Sequence, residues 1–240
     1  MGAVVNASTL GPGGALPQGA EKRASVEAMF DRVAPTYERT NRVISLGLDR
    51  RWRDAAMVTL GLARGSRLLD VACGTGDFCR DLTAAGQQVV GLDFSAGMLG
   101  VAHTSAPLVR GDAAALPAQD GAFDGVTCGF ALRNFVDLAA VFGECARVLR
   151  RGGRFVALDA AVPTNRVMRI GNAVWFRGAV PVLGRILAGD ADAYRYLPKS
   201  TAYLPGLDAL ADMLAGAGFS DVDVQTLTGG SVLLLSGTRR

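Results

Sequence analysis

Apolar residues form a series of short, nearly continuous runs between residues 67 and 159 of the chain. Such runs are typical of parallel strands buried on both faces, whereas the stretches between them have the wider apolar spacing of helices. This alternation predicts an α/β fold, in which helices cover both faces of a doubly wound, mostly parallel sheet. We place the strands at 67–73, 88–93, 107–111, 123–129 and 154–159.

The segment before the fifth of these strands has the clearest helical pattern. Asp137 stands near its start, where a carboxylate favours a helix, and Gly152, preceded by two arginines, stands where the helix would end. Its apolar face is best interpreted as core packing, with Cys145 as a small core residue. That face consists of Leu138, Val141, Phe142, Cys145, Val148 and Leu149.

The two ends of the chain carry different elements. Apolar spacing predicts a helix before Pro35 and further helix across 36–60. Near the other end, a helix precedes two strand-like segments, and the Gly229–Gly230 pair between them is typical of a hairpin turn. An antiparallel C-terminal hairpin should therefore complete the sheet. The predicted ranges are 206–217 for the helix, and 221–227 and 231–236 for the strands.

Residues 163–204 interrupt the alternation and are too many for a loop, so we predict a helical insertion. Residues 163–200 contain six basic and two acidic residues, a net charge of +4. A basic amphipathic segment suits an anionic membrane surface, and it equally suits a lid over the site; the two roles are compatible. The apolar residues available for a groove are Met168, Val174, Trp175, Phe176, Val182, Leu183, Ile186 and Leu187.

The chain is expected to consist of a leader and one domain. Its first residues are rich in glycine, alanine and proline and lack the features of a signal peptide, so 1–22 is predicted to be a disordered leader. Residues 23–240 should form a single domain that includes the 163–204 insertion. No apolar run reaches the ~18 residues needed to span a bilayer. We therefore expect a cytoplasmic protein, peripheral at most to the inner membrane face.

Composition adds several exclusions. Hydrophobic residues make up 50% of the chain, which is ample for a core, and the net charge of +3 does not call for nucleic acid. The four cysteines are scattered and there is one histidine, so we expect no metal site and free thiols in a reducing compartment.

The loop after the first strand indicates a cofactor site. Gly74 and Gly76 let the backbone turn sharply and approach a ligand closely. A dinucleotide fingerprint would need a third glycine where Cys79 stands. Asp70 and the two glycines instead match the acid-x-x-x-Gly-x-Gly pattern of class I methyltransferases, which favours S-adenosylmethionine over NAD.

Two further acids follow later strands. Asp93 ends the second strand, at a spacing that suits a ribose diol. Asp112 follows the third strand and could accept the adenine amino group, with the Ala113 backbone alongside. Each acid could instead merely cap a helix, but the three features together favour a cofactor site.

Several segments outside the loop resemble the MenG/UbiE group of demethylmenaquinone and 2-polyprenyl-benzoquinol C-methyltransferases. The resemblance covers roughly residues 26–237. The segments that carry it are 29–37, 41–47, 51–53, 132–134, 194–197 and 227–230.

This resemblance implies a seven-stranded, Rossmann-like class I methyltransferase fold. It also implies S-adenosylmethionine as the cofactor, a prenylated quinol as the substrate, and methylation of a ring carbon. Tyr37 would close over the methionine end of the cofactor. With the loop residues included, the expected cofactor-binding set is Tyr37, Asp70, Gly74, Thr75, Gly76, Asp93, Asp112, Ala113 and Gly129.

The chain departs from the family at three places. Gly129 stands where the family usually has serine, which removes one side-chain contact to the cofactor. The family's Glu-Phe-Ser after the fifth strand appears as Asp159-Ala160-Ala161, and its C-terminal histidine appears as Leu235. These departures leave room for another phenolic or lipid acceptor.

Arg133 and Asn134 are the candidate catalytic residues, because they follow the fourth strand at the edge where α/β sheets bind ligands. Arg133 would stabilise a quinol oxyanion and Asn134 would orient a hydroxyl. Alternatively, Arg133 pairs with a structural carboxylate such as Asp159. His103 has a suitable pKa for a base, but a surface position is expected for it.

Demethylmenaquinol is the favoured substrate, because 46–52 and 228–230 look closest to the menaquinone branch. The alternatives are a ubiquinone-type benzoquinol, another phenolic or lipid acceptor, and a non-catalytic module that binds S-adenosylmethionine. An NAD oxidoreductase is the least favoured class. Expected partners are the quinol and transiently the inner membrane, and a homodimer is compatible with the sequence.

Overall fold

Seven strands form one sheet in the order β3-β2-β1-β4-β5-β7-β6 in the computed structural model, which describes residues 16–240 apart from the side chains of residues 177, 188 and 191. The first five strands are parallel, and β7 is antiparallel to both β5 and β6. This arrangement confirms the predicted doubly wound sheet with a C-terminal antiparallel hairpin. The strands are β1 Arg67–Val71, β2 Gln88–Asp93, β3 Leu108–Arg110, β4 Phe123–Gly129, β5 Leu149–Ala160, β6 Phe219–Leu227 and β7 Val232–Arg239.

Ten α-helices surround the sheet within the described residues. Short 3-10 turns cover Ala34–Thr36, Leu132–Asn134, Thr201–Tyr203 and Thr228–Gly230. The α-helices are α1 Gly19–Val33, α2 Tyr37–Ile44, α3 Asp49–Leu60, α4 Asp77–Ala84, α5 Ala96–Gly100, α6 Leu138–Val148, α7 Arg166–Val174, α8 Val180–Ala188, α9 Ala191–Ser200 and α10 Leu207–Gly216.

Apolar side chains pack on both faces of the sheet, which explains the near-continuous apolar runs of its strands. On one face, the ring of Phe155 lies between Phe142 and Phe219, with centroids 5.6 Å from each. On the other face, Leu60 of α3 and Leu82 of α4 pack in a second cluster. The two clusters fix the strands, so their carboxyl ends line up at one edge.

The N-terminal helices and the 163–204 insertion build a third apolar cluster, separate from the two sheet faces. Val26 and Val33 of α1 pack there with Ile44 of α2, and the insertion contributes Val180 and Tyr196. Trp175 and the next four residues form a π-helical segment that joins α7 to α8. We call α1, α2 and the insertion the roof, because they cover the carboxyl edge of the sheet.

The boundary between α6 and β5 was predicted wrongly. The helix ends at Val148, and Leu149 already pairs with Phe123 of β4, although a helix end near Gly152 was expected. The pairing then shifts and resumes between Gly125 and Arg154. The two arginines and the glycine that suggested a helix end therefore lie in the irregular first part of β5, before regular pairing with β4 resumes.

Two smaller differences concern single segments. His103 lies beyond α5, which ends at Gly100, and its side chain is exposed as expected. Residues 1–15 of the predicted disordered leader lie outside the described residues, whereas 19–22 already belong to α1. Lys22 is buried, and its Nζ donates to the carbonyl of Phe135 at 2.6 Å.

Candidate functional site

Two cavities lie side by side at the carboxyl edge of the sheet, with volumes of about 350 and 330 Å³. Asn134 lines both of them, and it is the only described residue that does so. Strand ends meet at this edge where the strand order reverses between β1 and β4, the usual ligand position in open α/β sheets. We call the larger one the first cavity and the other the second cavity.

The first cavity contains both acids that the sequence assigned to adenosine. Asp93 ends β2, Asp112 follows β3, and Ala113 lies beside it. Leu92 and Phe94 add apolar wall. Two carboxylates separated by apolar surface suit a ribose diol at one end and a purine at the other.

Asp93 is 5% exposed and connects the glycine loop to the chain after β2. Its Oδ2 accepts from the backbone N–H of Gly74 at 2.8 Å, and its Oδ1 accepts from the N–H of Ser95 at 2.9 Å. Burial raises the pKa of Asp93 above its usual range, while these hydrogen bonds oppose the rise. Asp93 is therefore held rigidly as an acceptor.

Asp112 already has two partners. The backbone N–H of Ala114 donates to its Oδ1 at 2.9 Å, and Arg23 of α1 pairs with its Oδ2 at 2.5 Å. The Arg23 ion pair is largely exposed, so it contributes little to stability. It nevertheless places α1 directly above the first cavity.

The glycine loop lies beside the cavities and does not line either of them. Gly74 and Gly76 both have positive φ, which glycine adopts without strain, and a Cβ at Gly76 would meet Thr104 at 2.7 Å. Thr75 is buried, and Gly129 has room for a Cβ 3.5 Å from Phe78. Assigning these four residues to cofactor contact stays a prediction.

Two residues without glycine's freedom have positive φ directly after the parallel strands β1 and β4. Ala72, after β1, has φ 55° and lines the first cavity, and Phe130, after β4, has φ 61° and lines the second. Such backbone is strained for residues with a Cβ and occurs preferentially at functional sites. The strain therefore marks the same edge as the cavities.

Asp70 does not reach either cavity. It is 1% exposed, and its carboxylate accepts from the hydroxyl of Thr127 at 2.8 Å and from the thiol of Cys79 at 3.3 Å. Burial raises its pKa to about 7. The structure thus places Asp70 outside both cavities, bonded to Thr127 and Cys79, and its assignment to the cofactor stays a prediction.

The second cavity is mainly apolar and lies between the sheet edge and the roof. Tyr37 lines the second cavity and does not line the first. Desolvation raises the pKa of Tyr37 to about 12, so the phenol stays protonated. The hydroxyl of Tyr196 donates to Oδ1 of Asn134 at 3.2 Å, and the Asn134 amide NH2 has no partner among the residues that the structure describes.

Arg133 forms a buried ion pair with Asp159, the alternative that the sequence left open. Its backbone N–H also donates to Asp159 at 3.0 Å, and its guanidinium donates to the carbonyl of Phe130 at 2.8 Å and to the hydroxyl of Ser200 at 3.1 Å. Burial opposes the charge, but Asp159 outweighs it and raises the pKa of Arg133. Arg133 lines the second cavity and is always charged.

Several site residues were missed by the sequence reasoning. Asp31, Arg23 and Ser95 make polar contacts between α1 and the strand ends, and no local spacing marks such contacts. Trp52, whose indole donates to Thr228 at 2.7 Å, also lines the second cavity. Only the resemblance of segments 29–37, 51–53 and 227–230 could have indicated three of these positions.

The chain matches the model of a known family over residues 18–239, and the description of that family is the ubiE/COQ5 methyltransferase family. The match includes the roof, both cavities and the C-terminal hairpin.

Curated relatives match along most of their length. A demethylmenaquinone methyltransferase of Roseiflexus castenholzii is 40% identical over 232 residues, which cover 94% of this chain and 98% of the relative. One of Mycolicibacterium paratuberculosis is 43% identical over 215 residues, covering 89% of this chain and 94% of the relative.

Solved structures share the fold at low sequence identity. A SAM-dependent methyltransferase of Thermotoga maritima has a TM-score of 0.65 at 19% identity, with 89% of this chain and 99% of that chain covered. Phosphoethanolamine N-methyltransferase 2 of Haemonchus contortus, in complex with S-adenosyl-L-methionine, has a TM-score of 0.60 at 16% identity and covers 79% of this chain and 52% of that chain.

The burial of Asp70 predicts a specific pH dependence of stability. Its pKa is about 7 in the folded protein and near the ordinary aspartate value of 3.8 in the unfolded chain. At pH 4 the carboxyl is largely protonated in the folded state at little cost, whereas at pH 8 the folded state must hold a buried charge. Stability contributed by this group is therefore lost as pH rises from about 4 to about 7.

Asp70→Asn keeps an acceptor for Thr127 and removes the titration. We compare its free energy of unfolding with that of the unsubstituted protein at each pH. The difference should shift in favour of Asp70→Asn by about 2–4 kcal/mol between pH 4.5 and pH 8. Urea denaturation at several pH values measures this difference. A difference that does not change with pH would show that Asp70 does not titrate in this range.

Proposed function

We propose that this protein transfers a methyl group from S-adenosylmethionine to a ring carbon of a prenylated quinol. The chain belongs to the ubiE/COQ5 methyltransferase family, which supports this reaction. Demethylmenaquinol is the proposed acceptor, since the curated relatives at about 40% identity are named demethylmenaquinone methyltransferases. The observation that carries the proposal is the pair of cavities that meet at Asn134. One cavity suits the cofactor and the other suits a hydrophobic acceptor.

The first cavity fits the adenosine part of the cofactor. Asp93 offers carboxylate oxygens at a strand end, where both ribose hydroxyls can donate to it. Asp112 and the Ala113 backbone suit the amino group and ring nitrogen of adenine. Between them, Leu92 and Phe94 provide apolar wall for the purine.

When bound, S-adenosylmethionine supplies a methyl group on a sulfonium sulfur, which leaves as a neutral thioether. Because the leaving group needs no protonation, the protein mainly has to align the acceptor carbon with the methyl group. Asn134 stands at the boundary between the cavities, so it is the residue best placed to fix this alignment.

Asn134 is oriented for the acceptor. Its Oδ1 accepts from the hydroxyl of Tyr196, which directs the amide NH2 as a donor towards an acceptor oxygen. A quinol ring carbon becomes nucleophilic when an adjacent hydroxyl loses its proton, and a donor at that oxygen stabilises the anion. We assign this role to Asn134.

Arg133 provides the positive charge next to that donor. Its pairing with Asp159 reduces the net charge that the second cavity experiences, but the guanidinium remains at the cavity wall. The pair also fixes the 3-10 turn of residues 132–134, which carries Asn134. Arg133 therefore stabilises the quinol oxyanion electrostatically and positions its neighbour.

The second cavity suits a prenyl-substituted ring. Trp175 and Phe176 of the insertion face it, opposite Phe30 of α1 and Trp52 of α3. Apolar and aromatic walls are what an acceptor with a hydrocarbon tail requires. Only part of the apolar insertion lines this cavity; Val167, Val174, Val182 and Ile186 point outwards.

The first experiment is a transfer assay with methyl-labelled S-adenosylmethionine in detergent micelles. Demethylmenaquinol and a matching polyprenyl benzoquinol are offered separately. We expect label in the naphthoquinol. Label in both quinols would indicate a dual-role enzyme of the family, and label in neither, with cofactor binding confirmed by calorimetry, would contradict quinol methylation.

Asn134→Ala should lower kcat by roughly 10²-fold, because it removes a donor to the developing oxyanion. The dissociation constant for S-adenosylmethionine should change by less than about 3-fold, because the uncharged Asn134 amide is one of many groups that line the first cavity. Tyr196→Phe, which removes only the group that orients the amide, should show a smaller loss of kcat. Steady-state kinetics and calorimetry measure the two effects, and an equal loss in turnover and cofactor affinity would refute this assignment.

We further propose that the insertion brings the protein to the inner membrane face. Among residues 16–240, no helix has the length and apolar character needed to cross a bilayer. The outer surface of α7 and α8, however, exposes Val167, Ile170 and Ile186 at 76%, 57% and 72%, next to exposed Arg166 and Arg185. Apolar side chains among basic ones suit an anionic lipid surface, from which a prenylated acceptor could enter.

Binding to vesicles with 30 mol% anionic lipid should weaken at least ~5-fold in Val167→Ser/Ile186→Ser, because each substitution removes about 1 kcal/mol of apolar contact. Val58→Ser is the matched control, since Val58 is 81% exposed on α3, outside the insertion. Flotation with anionic and zwitterionic vesicles measures the effect. Equal binding by all variants, or none by the unsubstituted protein, would contradict membrane docking through this surface.

A further inference from the structure

A contact near the end of α1 holds this helix to the chain segment after Asp93, and the proposed methyl transfer does not itself require this contact. Asp31, near the end of α1, accepts from the hydroxyl of Ser95 at 2.5 Å and from the backbone N–H of Gly97 at 2.9 Å, both through Oδ1. Ser95 follows Asp93 by two residues and precedes α5, and Gly97 lies in the first turn of α5. One carboxylate oxygen thus joins the roof to the chain segment after β2.

Ser95 passes this contact on to Asp93. It is fully buried, its backbone N–H donates to Oδ1 of Asp93 at 2.9 Å, and its Oγ accepts from the N–H of Met98 at 3.0 Å. Ser95 is therefore the N-cap of α5 and a fixed donor to the ribose carboxylate. The Ser95 hydroxyl donates its own hydrogen bond to Asp31.

Gly97 provides an independent sign that α1 must approach closely here. A Cβ at this position would lie 2.8 Å from Cα and 2.8 Å from Oδ1 of Asp31. Because one of these atoms belongs to the backbone of α1, a rotamer change could not relieve the clash. Gly100, in the same short helix, has no atom within 4 Å of an added Cβ.

The other end of α1 forms the wall of the first cavity. Ala20, Arg23 and Val26 line it, and Arg23 pairs with Asp112. A helix held at Asp31 keeps these residues over the adenosine position. Without that contact, α1 would lose one of its attachments beside the first cavity, and Ser95 would lose the acceptor for its hydroxyl.

We propose that Asp31 is a positioning residue of the cofactor site, which holds Ser95 and α1 so that Asp93 and the cavity wall are ready for S-adenosylmethionine. The inference deepens the proposed function and rests on it for the identity of the ligand. Asp31 itself lines neither cavity, and both donors to its carboxylate belong to the segment after Asp93, so its main effect should fall on cofactor affinity and not on methyl transfer.

The test measures binding of S-adenosylmethionine and S-adenosylhomocysteine by calorimetry, together with kcat at saturating cofactor. Asp31→Ala should raise both dissociation constants about 10-fold through loss of a charge-assisted contact, with kcat within about 2-fold of the unsubstituted protein. Asp31→Asn keeps an oxygen for both donors and should bind within about 3-fold of the unsubstituted protein. Asp212→Ala is the control, because Asp212 is exposed on α10 and has no hydrogen bond or ion pair with another described residue.

A second pair of variants tests the same contact without substituting Asp31, in case Asp31→Ala merely destabilises the fold. Gly97→Ala should weaken cofactor binding about as much as Asp31→Ala, whereas Gly100→Ala should leave it unchanged. Unfolding temperatures identify any variant that is not folded at the assay temperature.

Cofactor affinity that is unchanged in Asp31→Ala, or equal in Gly97→Ala and Gly100→Ala, would overturn the inference while leaving the proposed reaction intact. Parallel losses of kcat and affinity would overturn it as well. If the unsubstituted protein bound no S-adenosylmethionine, the proposed function would fail too. If it bound cofactor but methylated no quinol, the proposed function would fail and the role of Asp31 would stand.

Discussion

The buried ion pair between Arg133 and Asp159 holds the carboxyl edge of the sheet to its roof. Asp159 ends the fully buried part of β5, and Arg133 lies in the turn after β4 and reaches Ser200 at the end of α9. Removing one partner of such a pair typically costs about 3–5 kcal/mol, because the other charge stays buried and unpaired. The turn that separates the two cavities therefore depends on this charge interaction as well as on the apolar packing of Leu132.

The two cavities divide the work of the site between different kinds of surface. The first offers fixed acceptors for a polar ligand, and the second offers aromatic and aliphatic walls for an apolar one. The roof covers both, since α1 contributes residues to each cavity and the insertion lines the second. Asn134, at the boundary between the cavities, is partly buried.

The sheet and its acids were predictable because their signals are local. Strands buried on both faces must be apolar throughout, and a carboxylate at a strand end on the switch-point edge has few structural uses. Asp70 fits the same motif but points inward, because its place in β1 directs the side chain to Thr127 and Cys79 instead of to the edge. The sequence pattern contains no information on that direction.

The contacts of the roof were not predictable for a different reason. Asp31 and Ser95 are 64 residues apart, and both are ordinary polar residues for a helix surface and a turn. Which of many such residues meet depends on how the third apolar cluster seats α1, and periodicity does not encode this. The early start of β5 has a similar cause, because strand pairing with β4 overrode the local features of a helix end.

Asn134 is the only described residue that lines both cavities, and this has a consequence for the kinetic order of the reaction. Each ligand has its own walls, so neither has to be present for the other to find its place. Coupling between the two binding equilibria can pass through the turn that carries Asn134 and through α1, which contributes residues to both cavities, and by linkage it acts equally in both directions. The walls of the two cavities therefore impose no order in which the two ligands must bind.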